Sequence, residues 1–141
     1  KHPNIYGIKE ASGNMSYAMK ISKLLNKDFI MLSGNDDIIV PMMAAGASGV
    51  ISVLAKIAPQ NTAKICELCF QNKYQEALKL ADDLLTFTND LFLEVNPIPI
   101  KEAMNYFGYN VGGYRAPLDT MSEANAKILK AEMDNVKELI K

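Results

Sequence analysis

Lys9 is the residue of this sequence whose position most strongly suggests chemistry. It lies in the segment IYGIKEASGN, in the last positions of an apolar, strand-like run and just before a turn of small residues. In α/β barrels the strand ends and the loops that follow them build the active site. A lysine held there in an apolar cavity can lose its proton and attack a carbonyl carbon. Lys9 is therefore a candidate nucleophile.

Side-chain alternation favours a neutral amine at this position. If residues 4–11 form a strand, Gly7, Lys9 and Ala11 face one side of the sheet. Glu10 then faces the other side, toward the helix layer. The small side chains of Gly7 and Ala11 leave space around the amine. Burial in an apolar barrel lowers the pKa of a lysine, whereas an adjacent carboxylate would keep it charged.

Cys66 and Cys69 form a Cys-x-x-Cys pair, which by its letters alone suggests a redox dithiol or half of a zinc site. A structural zinc ion needs four ligands, and the sequence offers one histidine, His2, and no second cysteine pair. The surrounding pattern is that of a helix, in which buried thiols fill space. We expect neither a redox pair nor a metal site here.

The composition is that of an ordinary globular protein, with 49% hydrophobic and 22% charged residues and a formal net charge of −1. No basic block is suited to a phosphate backbone, which argues against a nucleic acid partner. No uninterrupted apolar run approaches the roughly 18 residues of a membrane span, and the layout of a signal peptide is absent. We expect a cytoplasmic protein without a membrane partner.

The first third of the chain alternates strand-like and helix-like segments in the order βαβαβ. Strands are predicted at residues 4–9, 29–33 and 49–54, with helices at 15–26 and 36–45 between them. The runs FIMLSG and GVISVLA are apolar at successive positions, as expected for parallel strands that are covered on both faces. The pattern indicates an α/β class with parallel strands.

The second half is predicted to be helical, with no further strand. Apolar residues recur at three- and four-residue spacing at residues 64–72, 74–93 and 122–140. Pro97 and Pro99 stand ahead of a further short helix that ends near Gly108, so that the prolines provide a rigid entry and the glycine a stop.

Four segments resemble the pyruvate-dependent class I aldolase superfamily, which includes dihydrodipicolinate synthase and N-acetylneuraminate lyase. The string GIKEASGN is similar to the Schiff-base segment of that superfamily, and Lys9 falls on the Schiff-base lysine. The strings LSGNDD, GASGVISVLAKIAP and EVNPIPIKEAMNYFG follow in the expected order and spacing, so the resemblance spans nearly the whole chain. The glutamate after the lysine, the GNDD turn and the NPIPIK stretch look more like the dihydrodipicolinate synthase branch.

The resemblance implies the C-terminal part of a (β/α)8 TIM barrel, with about three parallel strands and their helices, followed by a C-terminal helical extension. Residues 1–58 would hold the barrel strands and helices, and residues 59–141 the last barrel helix and the helical region. A complete barrel takes roughly 250 residues, whereas this chain has 141 and begins with lysine. We expect a fragment or a processed chain that needs the missing N-terminal half as a partner.

The resemblance also implies a lyase that condenses pyruvate with aspartate semialdehyde in lysine (diaminopimelate) biosynthesis. Pyruvate would form a Schiff base with Lys9, without a metal or an organic cofactor. Ile51 would contact the bound pyruvate, largely through its backbone, and Gly34 would lie near the same pocket. Taken alone, an isoleucine in a buried strand is typical of a core, and a glycine after a strand is typical of a turn.

Two alternatives to this synthase stay open. An N-acetylneuraminate or keto-sugar-acid lyase would share the lysine and the pyruvate but take another aldehyde. A non-catalytic remnant or folding module is the second, because the chain has no counterpart of the family's glycine–threonine-rich loop, its proton-relaying tyrosine or its substrate-binding arginine. We expect the chain alone to be inactive or weakly active. The resemblance further implies a homo-oligomer, for which the helix that begins near Asn14 and Met15 is a candidate surface.

Overall fold

The computed structural model describes residues 2–140, and within them the chain has an α/β fold of two parallel strands and seven α-helices. Strand β1 is Gly7–Glu10 and strand β2 is Ile30–Ser33; helix α1, Met15–Ser22, connects them. The remaining elements follow in chain order: α2 Ile39–Ala44, a 3-10 helix Leu54–Lys56, α3 Pro59–Phe70, α4 Tyr74–Asp83, α5 Leu85–Asp90, α6 Ile98–Tyr106 and α7 Glu123–Val136.

The two strands lie side by side in parallel, with Lys9 opposite Leu32 and Glu10 opposite Ser33. This confirms two of the three predicted strands and their parallel direction, although β1 begins at residue 7 rather than at residue 4. Helix α1 begins at the predicted position because the side chain of Asn14 caps it: the Asn14 Oδ1 accepts a hydrogen bond from the backbone N–H of Tyr17 at 3.0 Å. The helix ends at residue 22, earlier than the predicted residue 26, and a short turn follows.

The third predicted strand, residues 49–54, does not form as a strand. Within residues 2–140 this segment contacts β2 through a single parallel bridge between Ser33 and Val50. Ser33 donates its N–H to the carbonyl of Gly49, and its own carbonyl accepts the N–H of Ile51, both at 2.8 Å. The expectation of about three strands is therefore wrong: the φ of +139° at Gly49 lies outside the strand region, and the chain turns into the 3-10 helix soon after Ile51.

The helical half forms as predicted in outline, with different bounds. The single helix predicted over residues 74–93 is broken at Leu84, whose φ of −110° and ψ of 1° lie outside the helical region. Leu84 is only 1% exposed, so the break places an apolar side chain in the core. Helix α3 begins at Pro59, a residue that suits a first helical turn, and ends at Phe70, so that it contains most of the apolar spacing noted at residues 64–72.

Helix α6 is flanked by Pro97 and Gly108 as predicted. Pro97 precedes the first helical residue, and Gly108 has a φ of +86° beyond the last one, a conformation that favours glycine. Pro99 lies inside the first turn of the helix rather than ahead of it, where its missing N–H leaves no hydrogen bond unmade.

Two clusters of buried apolar side chains form the core. One packs the sheet against α1 to α4 and includes Met31, Ile39, Met42 and Ile65. The other packs α5, α6 and α7 against the 3-10 helix, and its fully buried members include Phe87, Leu91, Ile100, Leu129 and Met133. The division of the chain between residues 58 and 59 stays a prediction.

Helix α7 is held at its N-terminus by a carboxylate from the segment before α6. The Glu94 Oε1 accepts hydrogen bonds from the backbone N–H of Ser122 at 3.0 Å and from the Asn125 Nδ2 at 2.9 Å. The Asn125 side chain and the N–H of Ser122 both favour the charged form, and they lower the pKa of Glu94.

The pKa of Asp90, the last residue of α5, is shifted in the opposite direction to that of Glu94. It is 9% exposed, and its burial together with the negative charge of Glu132 on α7 raises its pKa. Because the folded protein binds this proton more tightly than the unfolded chain does, the charged carboxylate destabilises the fold. That destabilisation grows as the pH rises from the unfolded pKa through the raised one.

We therefore expect Asp90→Asn to raise the Tm by a few degrees at neutral pH, with the gain shrinking as the pH falls below the normal range of an aspartate. Thermal melts followed by circular dichroism at a series of pH values measure this. In a Glu132→Gln background the gain should be smaller, because one of its two causes is gone. A Tm that falls at neutral pH in Asp90→Asn would contradict this account of Asp90.

Candidate active site

The predicted site residues lie at the carboxyl ends of three neighbouring segments. Lys9 stands near the end of β1, Gly34 directly follows β2, and Ile51 directly follows the bridge between β2 and the third segment. Because the segments run in parallel, their carboxyl ends meet at one edge of the sheet. The structure thus brings three positions that are up to 42 residues apart in sequence to one end of the strands.

Lys9 and Gly34 are packed against each other. A Cβ built on Gly34 would lie 2.7 Å from the Lys9 Cε and 2.4 Å from the Cβ of Ala11. The backbone N–H of Gly34 donates to the carbonyl of Glu10 at 2.7 Å, which fixes the two turns relative to each other. Glycine at position 34 is therefore explained mainly by the close approach of Ala11, and it also leaves space for the lysine side chain.

Side-chain alternation in β1 is as predicted. Lys9 is exposed in this chain, whereas Glu10 on the opposite face is 3% exposed. The Glu10 Oε1 accepts the N–H of Ser12 at 2.8 Å, and so holds the turn that leads into α1. Gly13 completes that turn with a φ of +71°, which favours glycine. The carboxylate next to the lysine in sequence thus supports the turn that follows β1.

Ile51 presents its backbone to β2 and its side chain to the surface. Its N–H donates to the carbonyl of Ser33, and its side chain is 46% exposed in this chain. The typical core role of an isoleucine in an apolar run is therefore absent here. Whether Ile51 contacts pyruvate stays a prediction.

Sequence reasoning missed the role of the polar residues after β2. The buried carboxylate of Asp36 accepts hydrogen bonds from the backbone of the third segment, and the Ser33 Oγ donates to the carbonyl of Asn35 at 2.9 Å. Three buried oxygens near these turns accept no hydrogen bond from residues 2–140: the Glu10 Oε2, the Asn35 Oδ1 and the Asp36 Oδ1. The string GNDD could have indicated such hydrogen bonds, because polar side chains that become buried after a strand nearly always have a hydrogen-bond partner.

The opposite end of the strands is open and apolar. A cavity of about 810 Å³ is lined there by Ile5, Tyr6, Leu24, Phe29 and Ile30, among others. Tyr6 is 70% exposed and Leu24 is 63% exposed. On the side away from β2, β1 pairs with no other strand of the described chain. An exposed apolar surface and an unpaired strand edge of this kind are typical of sites that contact other protein segments.

The cysteine pair lies on α3, far along the chain from these turns. Both thiols are free; Cys69 is buried and Cys66 is half-buried. Burial raises the pKa of each thiol, and the nearby Cys69 raises that of Cys66 further, so that the reactive thiolate is disfavoured.

Between residues 2 and 140 no group of three or more His, Cys, Asp or Glu side chains is placed to hold a metal ion. In the same range, no helix has both the length and the apolar character needed to cross a membrane.

Comparison with known proteins gives one consistent family. The Dihydrodipicolinate synthetase family matches residues 1–136. The 4-hydroxy-tetrahydrodipicolinate synthase 1 of Clostridium acetobutylicum is 52% identical over 130 residues, which are 92% of this chain and 44% of that protein. The 4-hydroxy-tetrahydrodipicolinate synthase of Caldicellulosiruptor saccharolyticus is 51% identical over the same shares of the two chains. The chain therefore spans less than half the length of these curated relatives.

Solved structures agree with the sequence relatives. Dihydrodipicolinate synthase from Aquifex aeolicus superposes with a TM-score of 0.91 at 33% identity, covering 98% of this chain and 47% of that one. The chloride-inhibited dihydrodipicolinate synthase from Acinetobacter baumannii, complexed with pyruvate, superposes with a TM-score of 0.92 at 33% identity, covering 97% and 47%. The α/β fold described above thus corresponds to about half of each of these structures.

Proposed function

Because this chain belongs to the dihydrodipicolinate synthetase family, we propose that it forms the pyruvate-activating part of a 4-hydroxy-tetrahydrodipicolinate synthase, with Lys9 as the nucleophile. The observation that carries the proposal is the contact between the Lys9 side chain and Gly34 at the carboxyl ends of β1 and β2. Both residues belong to strings that resemble the family's own. The pyruvate complex of the Acinetobacter baumannii relative supports pyruvate as the first substrate.

The proposed chemistry uses the Lys9 amine as the covalent catalyst. The neutral amine attacks the keto carbon of pyruvate, a C–N bond forms, and the keto oxygen leaves as water to give an imine. Loss of a proton from the methyl group turns the protonated imine into an enamine. The enamine carbon attacks the aldehyde carbon of aspartate semialdehyde and forms the C–C bond, and hydrolysis of the C–N bond releases the product and restores the amine. No metal ion or organic cofactor takes part.

Gly34 and Ile51 complete the proposed pyruvate pocket. Gly34 gives the lysine side chain room to reach the keto carbon, since a Cβ at position 34 would lie 2.7 Å from the Lys9 Cε and push that side chain aside. Ile51 would contact the bound pyruvate through backbone groups, because its N–H and the bridge at Val50 fix its main chain beside β2. Neither residue supplies a proton-transfer group, so proton transfer must come from other residues.

The remainder of the site is proposed to come from the preceding half of a (β/α)8 barrel, of which this chain would be the C-terminal part. The unpaired edge of β1 and the exposed apolar side chains of Ile5, Tyr6 and Leu24 fit such a neighbour, because they would be buried in a closed barrel. That half would supply the contacts to the carboxylate and to the aldehyde. The assembled enzyme would be a cytoplasmic homo-oligomer, with α1 as a candidate contact between copies.

The test joins this chain to the preceding half of the Clostridium acetobutylicum relative, a protein that we call the completed barrel. We expect the completed barrel to consume pyruvate and aspartate semialdehyde together, and the 141-residue chain alone to show little or no turnover. The rate is measured by coupling product formation to an NADPH-dependent reduction and recording the fall in NADPH absorbance. N-acetylneuraminate serves as the competing substrate.

The outcomes separate three functions. Condensation with aspartate semialdehyde supports the synthase. Cleavage of N-acetylneuraminate, or condensation with sugar aldehydes in its place, would assign the chain to the sugar-acid lyases. A completed barrel that is folded by circular dichroism yet inactive with every substrate would indicate a non-catalytic module.

A further inference from the structure

Asp36 is a buried carboxylate that joins two of the turns at the carboxyl ends of the strands. It is 5% exposed, and its Oδ2 accepts the backbone N–H of Val53 at 2.8 Å and that of Leu54 at 3.3 Å. These donors lie 17 and 18 residues further along the chain. Hydrogen bonds to an ionised carboxylate are stronger than those between neutral groups. Asp36 therefore fastens the third segment to the turn after β2.

We propose that Asp36 is a positioning residue for the keto-acid site, because it holds the backbone of Ile51 in place. Ile51 lies between two attachments: its own N–H on the carbonyl of Ser33, and the carboxylate of Asp36 two and three residues further on. The inference rests on the proposed function, since it requires Ile51 to contact the bound keto acid. Asp36 itself touches no reacting atom in this assignment.

The carboxylate is needed because the third segment is not a full strand. A regular strand would hold Ile51 by a ladder of backbone hydrogen bonds, whereas this segment has one bridge to β2. The first N–H groups of the 3-10 helix also need acceptors, since a helix start leaves its first donors without partners within the helix. Asp36 supplies the acceptor for the N–H groups of Val53 and Leu54, and the Ser52 Oγ accepts that of Ala55 at 2.8 Å.

Two variants and one control test the attachment. Asp36→Ala removes the acceptor, and Asp36→Asn keeps a neutral acceptor oxygen of nearly the same shape. Asp82→Asn is the control. Asp82, on α4, lines a small cavity of about 50 Å³ together with Asp36, but it is exposed and no side-chain hydrogen bond joins it to residues 2–140. Each variant is made in the 141-residue chain and in the completed barrel.

Hydrogen exchange in the 141-residue chain measures the attachment without any catalysis. We expect the amide protons of Val53 and Leu54 to exchange about tenfold faster or more in Asp36→Ala, as follows from the loss of a hydrogen bond to a charged group. Amide protons of the β1–β2 ladder should keep their rates, and Asp36→Asn should restore much of the protection. Unchanged exchange at Val53 and Leu54 in Asp36→Ala would overturn the proposal.

Pyruvate saturation of the completed barrel measures the consequence for the site. We expect the pyruvate concentration that half-saturates borohydride trapping to rise about tenfold in Asp36→Ala, a loss typical of a small displacement of a binding group. The amount trapped at saturating pyruvate should stay near the wild-type value, whereas a merely unstable protein would trap less at every concentration. Asp36→Asn should recover most of the affinity, and Asp82→Asn should match the wild type.

Failures of the two proposals can be told apart. If wild-type completed barrel traps no pyruvate, the proposed function is wrong and this inference fails with it. If wild type traps pyruvate and Asp36→Ala has the same half-saturation, the function stands and the positioning role of Asp36 is wrong.

Discussion

Lys9→Arg in the completed barrel is expected to abolish condensation, with a fall in kcat/KM of roughly 10³-fold or more, as is usual when a covalent nucleophile is removed. Arginine keeps a positive charge on a long flexible stem, so a purely electrostatic role for Lys9 would survive the change. It cannot give up its proton in a protein, however, and so cannot attack the keto carbon. The measurement is the steady-state rate with pyruvate and aspartate semialdehyde.

The matched control for this variant is Lys20→Arg. Lys20 is exposed in the last turn of α1, and the same exchange of side chains there should leave the rate unchanged. The melting temperature of Lys20→Arg should lie close to the wild-type value, since Lys20 is exposed, and that of Lys9→Arg reports whether the variant barrel is folded. A Lys9→Arg enzyme that keeps a tenth or more of the activity would rule out a Schiff base at this residue.

Gly34→Ala is expected to have the second largest effect, through collision rather than through loss of a reactive group. The new Cβ would lie 2.4 Å from the Cβ of Ala11, 3.1 Å from its Cα and 2.7 Å from the Lys9 Cε. The lysine can swing aside, but the backbone of Ala11 must shift with the whole turn. Overpacking of this kind costs about 1–3 kcal/mol of stability. A displacement of the amine by about 1 Å lowers the rate by roughly 10²-fold.

Gly113→Ala provides the comparison, because nothing lies within 4 Å of the Cβ it would add. A double variant, Gly34→Ala with Ala11→Gly, removes the closest of the three contacts and should recover part of the stability and of the rate. Thermal melts and pyruvate trapping measure the two effects. Wild-type stability and trapping in Gly34→Ala would mean that the turns are not packed as described.

The first two parallel strands, and the proximity of the positions proposed for the site, could be predicted from short strings of sequence. Parallel β1 and β2 were indicated by apolar runs, and the helix between them was predicted to begin at residue 15, where α1 does begin. Lys9 was placed by its position at a strand end and by the GIKEASGN string, and the structure adds that Gly34 adjoins it. These features depend on neighbours in sequence, which is why sequence patterns contain them.

The features that could not be predicted depend on contacts between distant residues. The apolar run GVISVLA has the composition of a buried strand, yet one bridge and a 3-10 helix form there, and the first N–H groups of that helix bond to Asp36, 17 and 18 residues away. The break at Leu84 has no glycine or proline to mark it; packing of Leu84 into the core decides it. Apolar periodicity alone does not distinguish a strand from a 3-10 helix in GVISVLA, or one long helix from two short ones around Leu84.

Peptide mapping after pyruvate and borohydride treatment tests the central claim most directly. Borohydride reduces the imine to a stable amine, so that the mass of the tryptic peptides reports which residue carried the pyruvate. We predict one reduced pyruvate adduct in the completed barrel, on the peptide that contains Lys9, and none in Lys9→Arg. An unmodified Lys9 in a folded completed barrel, or an adduct confined to another lysine, would contradict the account.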